Sequence, residues 1–321
     1  MAKHLTRDQT DFVRFLGIML ITNSHIDSLY PLPQLATGGA LGNALFFIIS
    51  GYCLTRSNAC STISLPVWFL RRIMRIYPSV ILVTLFVEIL LNQGWRQWTL
   101  NDYVSALVWP TQFWFVSALM LFYLFIYFPL RLREPALYLA LIALIVFPYA
   151  YFYIVTLDLS HYSIEGPSHF KWLFYCIVML FGGYLGTRTG GIPDGKISHL
   201  FSLMVLILLY FALGFLFLHG RFSQYQVVLH VLTMPIIYLT LVLTRTAFVA
   251  DKIMTHHVIQ WVVTTVAGAT LEIYLLQYSV YSNSVIQNLS FPVNVVAFAI
   301  ILLGMSVGLA KISKRLRELC L

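Results

Sequence analysis

The chain has 321 residues, of which 60% are hydrophobic and only 10% charged, whereas a soluble domain is about half apolar and about a quarter charged. So much apolar surface cannot be covered by so little polar surface, which excludes a water-soluble enzyme, a disordered chain and a nucleic-acid module and leaves a multi-pass membrane protein. The net charge of +8, from 20 Lys and Arg against 12 Asp and Glu, then reads as the cytoplasmic excess of basic residues common to membrane proteins.

The N-terminal stretch MAKHLTRDQTDFVR lacks the apolar run and small-residue cleavage site of a signal peptide. At about 20 apolar residues per bilayer crossing, ten spans are predicted. They cover residues 11–30, 38–55, 74–92, 111–130, 136–157, 170–187, 199–218, 224–244, 258–282 and 291–310. Most connections are short, with turn residues such as Pro31, Pro33, Gly190, Gly191 and Pro193. No repeat, low-complexity tract or soluble segment interrupts them, so residues 1–321 are expected to be a single all-α membrane domain, a polytopic helical bundle.

Orientation follows from counting charges. With the N-terminus in the cytoplasm, that side receives Lys3, Arg7, Arg56, Arg71, Arg72, Arg75, Arg131, Arg133, Arg188, Lys196, Arg245, Lys252, Lys311, Lys314, Arg315 and Arg317, which is 16 of the 20 basic residues. The outer side receives Arg96, Lys171 and Arg221, and Arg14 lies within the first span. This asymmetry predicts both termini in the cytoplasm. Cys53, Cys60, Cys176 and Cys320 have no paired spacing and are read as packing residues, with no disulfide framework and no metal site.

An ionisable side chain inside a span costs about 2.5–3.5 kcal/mol on insertion scales and is a functional candidate by default. Four stand out: Arg14, His25, Glu88 and Glu272. Arg14 and His25 are eleven positions apart. On a continuous helix that is three turns plus about 20°, one face, with about 16 Å between them along the axis. Taken singly, Arg14 fits a side chain snorkelling to the headgroups and His25 a core histidine. The shared face favours a polar channel. Glu88 sits one turn from the outer end of its span, where interfacial exposure explains it. Glu272, with Tyr274 and Gln277 nearby, fits an interhelical polar cluster as well as a role in chemistry.

Arg71, Arg72 and Arg75 crowd one helical sector. Guanidinium groups suit bidentate contact with phosphate, and an interfacial helix on anionic lipid explains the cluster equally well. Ser50-Gly51 has no nucleophile-elbow sequence around it, so it is read as a small pair that lets helices approach closely.

Several elements occur in a fixed order: Arg14-x10-His25, then Phe46-Phe47-x-x-Ser50-Gly51-Tyr52, then Arg71-Arg72-x-x-Arg75-x-x-Pro78. Trp114-Phe115-Val116 follows, then Phe122-Tyr123-Leu124 ahead of Pro129-Leu130, and late in the chain Ile273-Tyr274-Leu275-Leu276-Gln277. In these motifs the chain resembles the acyltransferase-3 family of integral-membrane acyltransferases over nearly its whole length. The resemblance implies transfer of an acyl group, usually acetyl, from cytoplasmic acetyl-CoA or another acyl-CoA to a hydroxyl, most often on a glycan. It implies that the Arg-x10-His motif, here Arg14 and His25, is essential. It implies that the Arg-x-x-Arg motif, here Arg72 and Arg75 with Arg71 beside them, meets the CoA phosphates. The chain departs from the family where an acidic residue often precedes Phe-Phe, here Gly42-Asn43-Ala44-Leu45. It also departs at two positions where the family often has His, here Gln112 and Gln277.

On this reading the arginines hold the polyanionic carrier at the cytoplasmic mouth, with Arg14 contributing to its site, and the thioester arm threads along the Arg14–His25 face. His25 takes the proton of the acceptor alcohol, a task suited to an imidazole of reference pKa about 6.5. Asn23, Ser24, Asn43, Tyr274 and Gln277 are all candidate oxyanion donors, with Asn43, Trp114, Tyr274 and Gln277 expected at the substrate. Glu272 is the expected orienter of His25. The expected partners are acyl-CoA, a glycan or lipid-linked saccharide acceptor and membrane lipid, without nucleic acid, and the oligomeric state is open. The expected location is the plasma membrane (bacterial inner membrane). The rival readings are a transporter or flippase using His25 and buried carboxylates as a proton relay, and a non-catalytic scaffold for glycan assembly. The loop from Asp158 to Lys171, with His161, Glu165 and His169, is either a sugar contact or a solvated connection.

Overall fold

The computed structural model describes residues 4–57, 63–91, 98–110, 113–166, 169–246, 249 and 255–320. Among the described residues the architecture is all-helical, as the composition predicts. In order come α1 (Arg7–Asn23), α2 (Gly39–Arg56), α3 (Leu65–Val83), α4 (Leu100–Leu107), α5 (Trp114–Leu132), α6 (Pro135–Val155) and α7 (Phe170–Thr187). They are followed by α8 (Ile197–Leu218), α9 (Val227–Leu243), α10 (His257–Gly268), α11 (Thr270–Tyr281), α12 (Ser284–Gln287) and α13 (Val293–Cys320). Six helical segments are long and apolar enough to cross a bilayer: Pro33–Arg56, α5, α6, α7, α8 and Val293–Leu319. The pair α10 and α11 makes a seventh, bent by 78°, and α9 is apolar but shorter. The chain is a multi-pass helical membrane protein.

Several boundaries differ from the sequence expectation. The first helix ends at Asn23, not near residue 30. The amides of His25 and Ile26 reach back only three residues, to Thr22 and Asn23 (3.1 and 3.4 Å), which tightens and closes the last turn. The polar Asn23-Ser24-His25 run, followed by Pro31 and Pro33, gives the helix no continuation. The regular-helix argument for a shared Arg14–His25 face therefore stops two residues short of His25. In contrast, α3 begins at Leu65, with Pro66 in its first turn, and takes in the whole arginine cluster. It runs through Pro78 and continues as a π-helical stretch, Thr84–Leu91. The side chain of Glu88 lies outside the described residues, as do Gln112 and Cys60.

The amphipathic α4 is a further departure, since no helix was expected between the third and fourth spans. Thr99 caps it, accepting from the Asp102 amide while Asp102 accepts from Thr99. Those hydrogen bonds from Thr99 hold the Asp102 carboxyl below its ordinary range. The expected ninth span is broken at Gly268-Ala269, where a glycine interrupts the helix and its direction changes. At the other end of the chain α13 runs ten residues past the expected boundary, because Lys311 to Leu319 contains good helix formers and no breaker.

The helices group into two compact units that alternate along the sequence. One comprises Met1–Gly17, Ala40–Thr62 and Phe125–Trp261, and the other Ile18–Gly39, Ile63–Leu124 and Val262–Leu321. In the first, α6 packs along α7 and α8 along α9. There α2 and α7 approach backbone to backbone: a Cβ on Gly51 would run into the Met179 carbonyl oxygen, and one on Gly182 into that of Ile48. This is the close approach expected of Ser50-Gly51. In the second unit α13 packs on both α3 and α11, and the fully buried Trp68 meets Tyr123 edge-on at 5.7 Å.

Candidate functional site

Most of the predicted site residues fall in the second unit: His25, Arg71, Arg72, Arg75, Trp114, Glu272, Tyr274 and Gln277. His25 sits in the turn after α1 and is exposed. The segment that carries it is anchored on both sides. Before it, Asn23 donates to the carbonyls of Leu35 and Thr37 (2.8 and 3.0 Å) and accepts from the Tyr30 hydroxyl (2.7 Å). After it, Asp27 accepts from Tyr281 at 2.8 Å, Ser28 donates to Gln287 at 2.8 Å, and the Leu29 carbonyl accepts from Asn294 at 2.8 Å. The side chains of Ile26 and Leu29 are buried between these anchors. The turn is thus pinned to the ends of α11, α12 and α13, and His25 on it is exposed.

Asn23 is consumed as a loop clamp and is no longer a candidate oxyanion donor. Ser24 likewise gives its proton to the Ile21 carbonyl at 2.7 Å. The Asp27 side chain accepts from the end of α11. It ties the His25 turn to α11.

The arginine cluster lies on the first turns of α3. Arg72 is partly buried and its guanidinium lies over the Trp68 ring at 5.2 Å, a cation–π contact one turn along the helix. Arg71 and Arg75 are exposed, and among the described residues neither is in an ion pair. The stacked Arg72 is fixed in place, and its two neighbours are available to an anion.

Glu272 is buried in the first turn of α11, where the helix dipole favours a carboxylate. It accepts from the Ser79 hydroxyl at 2.6 Å, and Ser79 in turn meets Ser313 at 2.8 Å. The structure thus brings Glu272 to α3 and α13 rather than to His25. Along α11, Glu272 and Tyr281 are nine residues apart, about 13 Å, so the end of α11 that anchors the His25 turn is the far end from Glu272. The expected orienting role of Glu272 gives way to a buried polar lock between three helices.

The same three helices hold further buried polar side chains. Thr84 follows Ser79 by five residues on α3 and its π-helical extension, Gln277 follows Glu272 by five on α11, and Ser306 precedes Ser313 by seven on α13. All three are buried, and Thr84 Oγ1, Gln277 Oε1 and Ser306 Oγ have no hydrogen-bond partner among the described residues. Tyr274 accepts from the Phe115 amide at 3.4 Å and packs against Phe113 and Phe115. Trp114, at the start of α5, is half-buried beside Phe115.

Two predicted residues belong to the first unit. Arg14 donates to Asp11 at 2.8 Å and to the Cys53 sulfur at 3.6 Å, so its charge is matched by a buried carboxylate one turn earlier. The Asp-x-x-Arg spacing of Asp11 and Arg14 was the signal for this pair. Asn43, on α2, keeps a buried Oδ1 without a partner among the described residues.

Sequence reasoning missed His230. It is 4% exposed, stacks on Phe174 with ring centroids 3.8 Å apart, and is bonded at both ring nitrogens, to Glu165 at 2.9 Å and Tyr149 at 2.8 Å. Glu165 also accepts from Tyr175 at 3.0 Å. An ionisable residue inside the apolar run of α9 was the available signal. This network, with Gln226 accepting from the amides of Ser163 and Ile164 at 2.8 Å, holds the 158–166 connection to the helices. In that connection Ser160 keeps Asp158 below its ordinary range by hydrogen bonding.

The chain matches a family model described as an acyltransferase domain, acyltransferase-3 type, over residues 7–312. No curated protein and no solved structure matches it.

Proposed function

Because the chain belongs to the acyltransferase-3 family of membrane acyltransferases, we propose that it transfers an acyl group, in the first instance acetyl from cytoplasmic acetyl-CoA, to a hydroxyl of a cell-surface glycan or lipid-linked saccharide. His25 is the general base in this reading. The imidazole takes the acceptor's proton as its oxygen attacks the thioester carbonyl. The tetrahedral oxyanion then collapses, the carbon–sulfur bond breaks, and the imidazolium returns the proton to the leaving thiolate. The observation that carries the reading is the exposed His25 on a turn pinned at Asn23, Asp27, Ser28 and Leu29, since a base must be both reachable and held.

Arg71, Arg72 and Arg75 take the phosphates of the carrier, supported by the exposure of Arg71 and Arg75 and the stacking of Arg72. The acceptor oxygen of Gln277 suits an amide N–H of the carrier's arm, with Tyr274 and Trp114 as further substrate contacts. Arg14 belongs to the same reading through the family motif, and its five N–H groups exceed what Asp11 and Cys53 use. Asn43 is read as a substrate contact from its buried Oδ1. Ten crossings, both termini in the cytoplasm and a plasma-membrane location complete the proposal, supported by the segregation of 16 of the 20 basic residues to one side under that topology.

Purified protein given labelled acetyl-CoA should consume it in the presence of a saccharide acceptor, whereas a carrier or scaffold would leave it intact. His25→Ala should lower transfer by at least about a hundredfold while the amount of protein in the membrane stays unchanged. Near-normal transfer by that variant would overturn the assignment.

A further inference from the structure

The first unit contains a cavity of about 310 Å3 that none of the residues assigned to acyl transfer line. It lies where α2, α5 and α7 end and α6 begins. Arg56 closes α2, Arg133 occupies the turn between α5 and α6, and Thr55, Tyr138, Gly186 and Thr187 form much of the remaining wall. The volume is at the lower end of the range for small-molecule sites. The wall is closely built: a Cβ on Gly186 would press on Thr55 and the Tyr52 carbonyl at 2.9 and 3.0 Å, and one on Gly183 would run into the Tyr138 ring.

The hydroxyls of this wall are already engaged. Thr55 donates to the Gly51 carbonyl at 3.1 Å and meets Tyr138 at 2.9 Å, and Thr187 donates to the Tyr184 carbonyl at 2.7 Å. The remaining donors are the guanidinium N–H groups of Arg56 and Arg133. Both residues are exposed, and neither is in an ion pair among the described residues. Three helix C-termini bring about half a negative charge each and the α6 N-terminus about half a positive one, so the dipoles offset about one of the two guanidinium charges and leave the cavity cationic. The electrostatics of the neighbourhood agree: burial first, then the charges of Arg56 and Arg245, hold His4 below the ordinary histidine range.

Arg133 also has φ +58. The left-handed position after a helix end is normally given to glycine, because a Cβ is strained there. An arginine keeps that conformation at a cost, which is the pattern of a residue retained for its side chain.

We propose that this cavity binds a phosphate ester, with Arg56 and Arg133 gripping its oxygens. Two guanidinium forks around one cavity match the geometry of phosphate better than that of a single carboxylate. The ester is brought either by the headgroup of an anionic lipid or by a soluble nucleotide. The site is separate in sequence from the arginines of α3, and it does not depend on the acyl-transfer reading.

The test uses full-length protein purified in neutral detergent, carrying Arg72→Ala and Arg75→Ala so that any binding by those side chains drops out. One arm titrates adenosine 3′,5′-bisphosphate. The other adds phosphatidylglycerol, with phosphatidylcholine as control, and counts bound lipid by native mass spectrometry. One probe should bind, and Arg56→Gln and Arg133→Gly should each weaken it by about tenfold or more. Which arm responds identifies the source of the phosphate. Because glycine relieves the strain at position 133, Arg133→Gly should retain or raise thermal stability while binding falls, a combination that misfolding cannot produce. Arg56→Gln gives an independent reading. Equal binding by parent and variants, or no binding of either probe by the parent, would overturn the proposal.

Discussion

The Tyr281 hydroxyl donates to Asp27 at 2.8 Å, joining residues 254 positions apart in the sequence. The bond fixes the segment two residues beyond His25 to the end of α11. A hydrogen bond of this kind is worth about 1 kcal/mol. If it is spent on holding the base, its loss costs about fivefold in rate. Tyr281→Phe should therefore lower kcat for acyl transfer by about that factor and leave KM for acyl-CoA unchanged. Asp27→Ala, which removes the acceptor, should do the same, and the double variant should be no worse than either single one. Additive losses in a double-mutant cycle would show that the two side chains act separately.

The three arginines of α3 differ in what holds them, so their variants should separate. Arg75 is exposed, and Arg75→Ala should raise KM for acyl-CoA by about tenfold with little change in kcat or in stability. Arg72 is partly buried and stacked on Trp68, so Arg72→Ala should also lower the melting temperature of the purified protein. Arg72→Lys keeps the charge but loses the planar stack, and it should recover stability only in part. A kinetic effect limited to the saccharide acceptor would place the α3 arginines elsewhere in the reaction.

Helix content was legible in the sequence because it depends on apolar runs about as long as a bilayer is thick, and that signal is local. The close approach at Gly51 was legible for a similar reason: a small pair in a helix has few other uses. The end of α1 was not. Apolar periodicity carries through Ile21 and Ile26, and what closes the helix is Asn23 reaching to the carbonyls of Leu35 and Thr37, a contact that depends on where the following loop returns. The role of Glu272 was hidden for the same reason, since Ser79 and Ser313 are 193 and 41 residues away in sequence. The Asp11–Arg14 pair and His230 were within reach, the first by its helical spacing and the second by its cost inside an apolar helix.

A buried carboxylate that relies on one hydroxyl donor is sensitive to its loss. Ser79→Ala leaves Glu272 without the 2.6 Å bond that satisfies it, and an uncompensated buried acceptor costs about 1–3 kcal/mol. The melting temperature of the purified protein should fall accordingly. Glu272→Gln removes the charge and should be tolerated better than Ser79→Ala, because the amide oxygen still accepts from Ser79. In both variants acyl transfer per folded molecule should stay near the parent value, as expected for a lock between α3, α11 and α13. A fall of a hundredfold or more in Glu272→Gln, with stability intact, would return Glu272 to the chemistry.

The contact between α2 and α7 leaves no room for adjustment. A methyl group on Gly51 meets the Met179 carbonyl oxygen, a backbone atom that cannot rotate away, and the Gly183 amide lies at 2.9 Å on the same side. Gly51→Ala must therefore push the two helices apart, and overpacking of this kind costs about 1–3 kcal/mol. A methyl at Gly214 or Gly304 meets nothing within 4 Å, so alanine at either of those positions should be neutral or slightly stabilising through helix propensity. Thermal-shift measurements on the three alanine variants should place Gly51→Ala well below the other two. The loss should be larger again in Gly51→Val, because added side-chain volume falls on the same fixed backbone.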